Sequence, residues 1–341
     1  MSLRESIDRA VRGLEVPPEL LAAAFGEIMQ GQGTDATIAG LLVALRTKGE
    51  TVGELVAIAG ALRRAAVTAP CLDPRTVDTC GTGGDGANTF NISTTAAFVV
   101  AGAGVPVAKH GNRAASSKTG SIDVLEALGV VVDLPVEASA RLLSAVGIAP
   151  FFARRAHPAM RFVAPVRQEL SIRTLMNCMG PLLNPLGVRH QVIGVYEAEL
   201  VTRLAQVLNA LGTQRALVVH GSDGLDEITI YGDTLAAHVR DERVETLTID
   251  PAQLGIETPA AGALRGGDAG ENARILREVL AGEPGPRRDI VALNAAAALW
   301  IAGAVEDLAA GLTLARRSID SGAAKEKLAA LVEASRAEEG S

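Results

Sequence analysis

The feature that most restricts this chain is a change of rhythm near Arg75. Beyond it, short β-rich runs alternate with helix-like stretches. The runs lie at 76–80, 105–108, 130–134, 191–196 and 216–220, and the helical stretches at 94–103, 121–128 and 200–211. Strands separated by helices favour crossover connections, so the pattern predicts an α/β domain with a central, mostly parallel sheet. From Glu271 onward the chain is alanine-rich and reads as helix. At 341 residues it is too long for one small core, which points to one large domain and a smaller one.

The residues before Arg75 read as short amphipathic helices. Pro17 and Pro18 suit a helix start, after which Leu21, Phe25 and Ile28 share a face. Asp35 is expected to cap a second helix carrying Ile38, Leu41, Leu42 and Leu45. Thr51 and Glu54 have capping-box spacing ahead of Leu55, Ile58 and Leu62. Such helices bury little alone. The stretch 161–185 is helical in period and interrupts the strand rhythm, so it is expected to fold back onto them. The expected division is a small all-helical N-terminal domain, 1–72, joined by helices from about 165–190, and a larger α/β domain of 73–164 and 191–341.

A net charge of −7 argues against a broad nucleic-acid-binding face. The N-terminus is charged at Arg4 and lacks the apolar core of a signal peptide. No apolar run reaches the roughly 18 residues of a membrane span. Cys71, Cys80 and Cys178 show no paired spacing. The expectation is a reduced, cytoplasmic protein that engages neither nucleic acid nor membrane.

Two loops carry the chemistry. The first, Gly81-Thr82-Gly83-Gly84-Asp85-Gly86, follows an apparent strand. Glycines let backbone N–H groups approach an anion closely. The spacing matches a dinucleotide fingerprint, but no acid stands about 20 positions further on to hold a ribose. The ordinary reading is a glycine turn with a capping Asp85. Asn91-Ile92-Ser93-Thr94 follows and opens a helix; these are common caps, and such a helix start also suits a phosphate. The second loop gathers Lys109, His110, Arg113 and Lys118 with four hydroxyl residues in residues 109–121. Only five lysines occur in the whole chain. The combination points to a clamp for a phosphate ester, lysine acting as a point charge and arginine as a fork. His110 reads as a hydrogen-bonded positioner in preference to a base.

In order and spacing these motifs resemble the anthranilate phosphoribosyltransferase family. The likeness rests on residues 81–85, 91–94, 109–113 and 120–129. It continues through His157 to Arg161, Pro165-Val166-Arg167, Arg173-Thr174, Asn177, residues 180–185, 220–227 and 294–299. It departs at Ser171, where glycine is usual, at Met176, where phenylalanine is common, and at Ile122, usually a small residue. The resemblance implies transfer of the phosphoribosyl group of phosphoribosyl diphosphate to the amine of anthranilate, in tryptophan biosynthesis. The site is expected near a hinge between the two domains, in a homodimer. It implies contacts to the diphosphate from Gly81, Gly84, Asp85, Thr89, Asn91, Ile92, Ser93, Thr94, Lys109, His110, Gly111, Asn112, Arg113, Ala114, Ala115, Ser116, Ser117 and Ser121. It implies an anthranilate pocket of Gly81, Asn112, Arg167 and Pro181, and Mg²⁺ held by Ser93, Asp226 and Glu227. Asp223 stands as an alternative ligand, since spacing alone does not choose. Two other readings share the residues. A pyrimidine nucleoside phosphorylase has a similar architecture, but Asn112-Arg113 and Pro165-Val166-Arg167 favour anthranilate. A non-catalytic nucleic-acid-binding relative is disfavoured by the acidic balance and by the intact pair Asp226 and Glu227.

Overall fold

A computed structural model describes residues 2–114 and 118–339. The chain opens with four helices, α1 (Ser2–Val11), α2 (Pro18–Met29), α3 (Asp35–Lys48) and α4 (Val52–Arg64). Leu21, Phe25 and Ile28 are fully buried on one face of α2, each worth about 1.5–3 kcal/mol. The cap of α3 is Thr34, one residue earlier than expected, and it exchanges reciprocal bonds with Thr37. Asp35 instead occupies the first turn, where its charge meets the positive end of the helix dipole. The Thr51–Glu54 capping box on α4 forms as its spacing predicts.

The remainder is β1 (Val77–Gly81), α5 (Ile92–Gly102), β2 (Val107–Gly111), α6 (Ser121–Ala127), α7 (Val136–Val146), β3 (Ile148–Phe152), α8 (Ala153–Ala156), α9 (Ala164–Leu170) and α10 (Met176–Met179). Then come β4 (His190–Gly194), α11 (Glu199–Ala210), β5 (Arg215–Gly221), β6 (Thr234–Arg240), β7 (Arg243–Ile249), α12 (Ala269–Leu280), α13 (Pro286–Ile301), α14 (Leu308–Asp320) and α15 (Ala323–Glu339). Among the described residues seven strands form one sheet in the order β3-β2-β1-β4-β5-β6-β7. The first five are parallel, and β6 and β7 extend it as an antiparallel ribbon.

The expected strand at 130–134 does not form. Val130, Val132 and Leu134 are buried in alternation, as a strand would be. The segment lies against α15 instead, and its Val131 N–H donates to the Ser335 hydroxyl at 3.0 Å, outside any ladder. The third strand is β3, an unbroken buried run, Ile148–Phe152, with no alternation to mark it. Two cores flank the sheet. One joins Phe98, Val192, Leu217 and Val219 to Leu293 and Ala297 of α13. The other joins Phe25, Leu41 and Leu55 of the N-terminal helices to Val166, Met176 and Leu182, and continues into Ile193, Val218 and α11. The 161–185 stretch therefore does return to the N-terminal helices, as short helical turns and not one long helix. Among the described residues no helix is long and apolar enough to cross a membrane.

Candidate active site

The strand order places a crevice. The chain starts in the middle of the sheet at β1, builds outward to β3, then returns to lay β4 on the other side of β1. Loops leaving β1 and β4 diverge there, which is where open α/β sheets bind ligands. β1, β2, β4 and β5 each end in glycine, at Gly81, Gly111, Gly194 and Gly221. The loop after β5 crosses the mouth. A side chain at Gly194 would strike the Asp226 carbonyl, and one at Gly81 the Asp226 carboxylate.

This packing brings the glycine loop and the acidic pair together. Gly83 N donates to Asp226 Oδ2 at 2.7 Å, and Asp226 N approaches Asp85 Oδ2 at 3.5 Å. Ser93, in the first turn of α5, donates its N–H to Glu227 Oε1 at 3.0 Å, and its hydroxyl bonds the same carboxylate. From below, the buried Asn294 of α13 receives Ile228 N and donates to Ile228 O, both at 2.9 Å. Asp223 serves its own turn: it accepts from Thr229 Oγ1 at 2.9 Å and from Leu225 N at 3.4 Å. Desolvation in the cleft raises the Asp226 carboxyl well above the usual range, and the charges of Glu227 and Asp85 raise it further. Desolvation pushes Glu227 up to about 7, against the pull of Lys109 and Ser93. Carboxylates crowded in this way fit a hard divalent cation. Among the described residues no three His, Cys, Asp or Glu side chains form a closed metal cage. An open site with one or two carboxylates, completed by water and substrate oxygens, is what Mg²⁺ prefers.

Lys109 is buried on β2 and its ammonium bonds the Thr79 carbonyl. Burial lowers its pKa, while Asp78, Glu227 and Asp226 hold the charge. Arg113 forks onto Glu126, at 2.7 Å through Nη2, and reaches Asp123 at 3.2 Å. Its guanidinium is thus held by α6, and meeting an anion requires exchanging those partners. Asn91 begins α5 without a side-chain cap; its amide donates to Thr119 O at 3.2 Å and its Oδ1 accepts from Asn272 at 3.0 Å. Ile92 and Thr94 are buried, so each offers the cleft only backbone. Thr89 pairs with Arg265 in an isolated bridge. Ala114 N donates to Asp123 Oδ2 at 3.0 Å, and Ser121 Oγ to Asn112 O at 3.4 Å. Ala115, Ser116 and Ser117 lie outside the described residues. Gly84 is joined to the helical side of the molecule, since Arg173 donates to its carbonyl while lying 4.1 Å over the Tyr196 ring.

The Gly180–Leu183 turn is the other wall. Each of its four carbonyls takes a different side chain: His110 at 3.2 Å on Gly180, Gln191 at 2.8 Å on Pro181, Arg63 at 2.7 Å on Leu182 and His157 at 2.9 Å on Leu183. Asn184, next in line, donates to Asp78 Oδ2 and Ala108 O, both at 2.9 Å. A carbonyl can only accept, so His110 Nδ1 carries the proton and Nε2 keeps a lone pair, buried and unpartnered among the described residues. Burial drives the His110 pKa down to about 3, with His157 and Lys109 adding to the effect. Desolvation pushes Asp78 up to about 6 despite Asn184 and Lys109. Arg167, on α9, is lowered by burial, and among the described residues no carboxylate pairs with it. No hydrogen bond among the described residues joins Arg167 to Gly81 or Asn112; it approaches from the helical side, and they close adjacent strand ends. Asp78, Arg63, Gln191, Asn184 and Asn294 are supports that residue type alone did not mark. Asn184 and Asn294 lie inside motifs of the family resemblance, residues 180–185 and 294–299, which were their only signal.

The site thus sits at the switch point of a sheet flanked on both faces, beside a helical bundle. A family profile described as the Glycosyl transferase family a/b domain matches residues 73–325, and its helical bundle domain matches residues 4–66. The chain is 52% identical over 332 residues to the anthranilate phosphoribosyltransferase of Anaeromyxobacter sp. (strain K), covering 97% of this chain and 98% of that one. The crystal structure of anthranilate phosphoribosyltransferase from Thermus thermophilus superposes with a TM-score of 0.92 at 41% identity, covering 97% of this chain and 99% of that one. The Saccharomyces cerevisiae enzyme in complex with PRPP and Mg superposes with a TM-score of 0.90 at 28% identity, covering 98% of each chain. The chain belongs to the anthranilate phosphoribosyltransferase family.

Proposed function

We propose that the chain transfers the phosphoribosyl group of 5-phosphoribosyl 1-diphosphate to the amine of anthranilate, giving N-(5-phosphoribosyl)anthranilate and pyrophosphate in tryptophan biosynthesis. The observation that carries the reading is the meeting, at the switch point, of the connection from β1 into α5 with the loop after β5, where Gly83 and Ser93 each donate to one of the paired carboxylates Asp226 and Glu227.

The reaction breaks the bond from the anomeric carbon to a diphosphate oxygen and forms a bond to an aromatic amine. Ribose gains cationic character as pyrophosphate leaves. An aromatic amine is neutral at pH 7, so a strong base is unnecessary, and the work is positioning and charge stabilisation. The glycine loop, the α5 start and the loop after β2 are assigned to the diphosphate. Asp226, Glu227 and Ser93 are assigned to Mg²⁺, which when bound offsets negative charge on the leaving group. Arg167 is assigned to the anthranilate carboxylate, supported by its half-buried guanidinium, which no carboxylate among the described residues pairs, with Asn112, Gly81 and Pro181 around the ring. His110, neutral and pinned to Gly180, is a positioning residue.

We further place the domain boundary near residue 72, with 165–190 joined to the N-terminal helices, and a homodimer contact on that helical unit. Val11 and Leu14, at and just beyond the end of α1, and Val43 on the adjoining α3 are exposed apolar side chains that support this surface. Light scattering after size exclusion tests it. The activity is tested by following anthranilate fluorescence with and without phosphoribosyl diphosphate and Mg²⁺. No consumption with both present, in folded protein, would overturn the reading.

A further inference from the structure

A second cluster of polar groups lies at the other end of the sheet, where parallel strands begin. His190 opens β4 and Arg215 opens β5, and the two are register partners. Arg215 in turn faces Arg240 on β6, and Leu217 faces His238. Paired positions, and positions two apart, point to one face of a sheet. His190, Arg215, His238 and Arg240 therefore share the face that packs on α13. β4 and β5 run from here to Gly194 and Gly221 at the cleft, so the two places are about 13 Å apart along β4 and about 20 Å along β5, at about 3.3 Å per residue.

Nitrogen atoms in this cluster are orphaned. His190 Nδ1, Arg215 Nε and His238 Nε2 are buried without a hydrogen-bond partner among the described residues. His190 and His238 are each 8% exposed. The other His190 nitrogen donates to the Pro74 carbonyl. The His238 ring lies 4.7 Å from Trp300, in the last turn of α13. Native proteins rarely leave one such group unsatisfied, and three on one patch is a pattern. The surrounding charge has a sign. Arg189 and Arg215 act on His190, and Arg215 and Arg240 on His238; the anions near His238 are Asp241 and Glu245. Asp241 is already joined to Arg240 at 3.1 Å. The Arg215 guanidinium has no carboxylate partner among the described residues.

We propose that His190, Arg215 and His238, flanked by Arg240, form a binding site for a small tetrahedral oxyanion of the phosphate or sulfate kind, separate from the catalytic cleft. A guanidinium N–H and two imidazoles on one patch supply donors to several oxygens of such an ion. With its other nitrogen donating to Pro74, His190 offers a donor at Nδ1 only when protonated. Binding there takes up a proton and strengthens as pH falls. Desolvation and the neighbouring arginines hold both imidazoles neutral in the free protein, and a bound dianion reverses that balance.

The test is histidine-selective NMR of the full chain, titrated with sulfate, whose charge stays fixed across the imidazole range. The chain has five histidines, so each reports its own surroundings. His190 and His238 are expected to shift together along one saturable curve, with affinity about tenfold tighter at pH 6 than at pH 7.5. Arg215→Gln is expected to weaken sulfate at least about tenfold. Should that variant fold poorly, Arg240→Gln, at an exposed position, is expected to weaken it severalfold in folded protein. Two results would overturn the proposal: movement confined to His110, His157 or His220, or His190 and His238 responses that neither arginine variant alters.

Discussion

Gly194 faces the carbonyl of Asp226 with no room for a methyl group between them. The end of β4 and the acidic loop are therefore in direct backbone contact, and the loop's height above the sheet is set by the absence of one carbon. Gly194→Ala must lift residues 226–227 away from Gly83 and Ser93. The expected cost is about 2–3 kcal/mol of stability and about a hundredfold in kcat/KM, because such displacements misplace reacting groups. Urea denaturation and steady-state kinetics measure the two. An alanine variant with parental kinetics would show that the loop's position is irrelevant to turnover.

The buried imidazoles predict an acid response. Burial holds His110 at about 3 and His157 at about 4, below the unfolded value of about 6.5. The unfolded chain then binds more protons between those limits, so this contribution is complete above about pH 6.5 and is lost as pH falls toward 3. Asp78 at about 6 and Glu227 at about 7 act oppositely, since the folded state holds their protons more tightly. His157→Gln removes one group of the first kind and leaves the second kind intact. Its Tm should fall less steeply than the parent's from pH 6 to pH 4. Parallel slopes in thermal melts would mean that His157 is not held neutral.

Much of this architecture was legible because it follows from periodicity. The alternation after Arg75 predicts parallel strands, and Thr51 with Glu54 predicts the start of α4. What failed was what periodicity cannot carry. Val130, Val132 and Leu134 alternate like a strand, yet they pack on α15 and take a side-chain hydrogen bond. β3 is buried on both faces and shows no alternation. β6 and β7 follow a glycine-rich stretch that reads as loop. In the site, the glycine loop and the acidic pair were visible as residue types in sequence. The supports, Asn294 under Ile228 and Asn184 beneath Asp78, are single amides brought in from 66 and 106 residues away. Only their place in the family's motifs, residues 180–185 and 294–299, distinguishes them from any other asparagine.

Ser171 shows the cost of one departure from the family pattern. It ends α9 with φ at 50°, in the left-handed region that favours glycine. Its hydroxyl offsets part of that strain by donating to Gln168 O at 2.7 Å. A non-glycine residue there costs about 1–2 kcal/mol, and an exposed hydrogen bond recovers about 0.5–1.5. Ser171→Gly should therefore raise Tm slightly, by no more than a few degrees. A clear fall in Tm would mean that the hydroxyl bond outweighs the backbone strain.

Arg167 is a half-buried cation on the helical side of the cleft. Its guanidinium is lowered by burial and no carboxylate answers it among the described residues. A desolvated charge of this kind is tolerated where a ligand completes the pair. Arg167→Ala should raise the anthranilate KM about 10- to 100-fold, the range expected for a charged hydrogen bond. The KM for phosphoribosyl diphosphate should change far less, because α9 approaches from the helical side. Equal changes in both would move Arg167 from ligand contact to general support.

The acidic pair gives the last and sharpest expectation. Asp226 and Glu227 repel each other in a desolvated cleft, and each holds its proton above the usual carboxylate range. A divalent cation must displace those protons, so Mg²⁺ should stabilise the protein more at pH 8 than at pH 6. The double change Asp226→Asn, Glu227→Gln keeps the shapes and removes both charges. Thermal melts of this variant should show no Mg²⁺-dependent rise at either pH, and its activity should lose its Mg²⁺ dependence along with most of its rate. Its Tm without metal should equal or exceed the parent's at pH 8, because the repulsion is gone. A variant that still gains stability from Mg²⁺ as the parent does would place the metal elsewhere and leave the pair a structural role only.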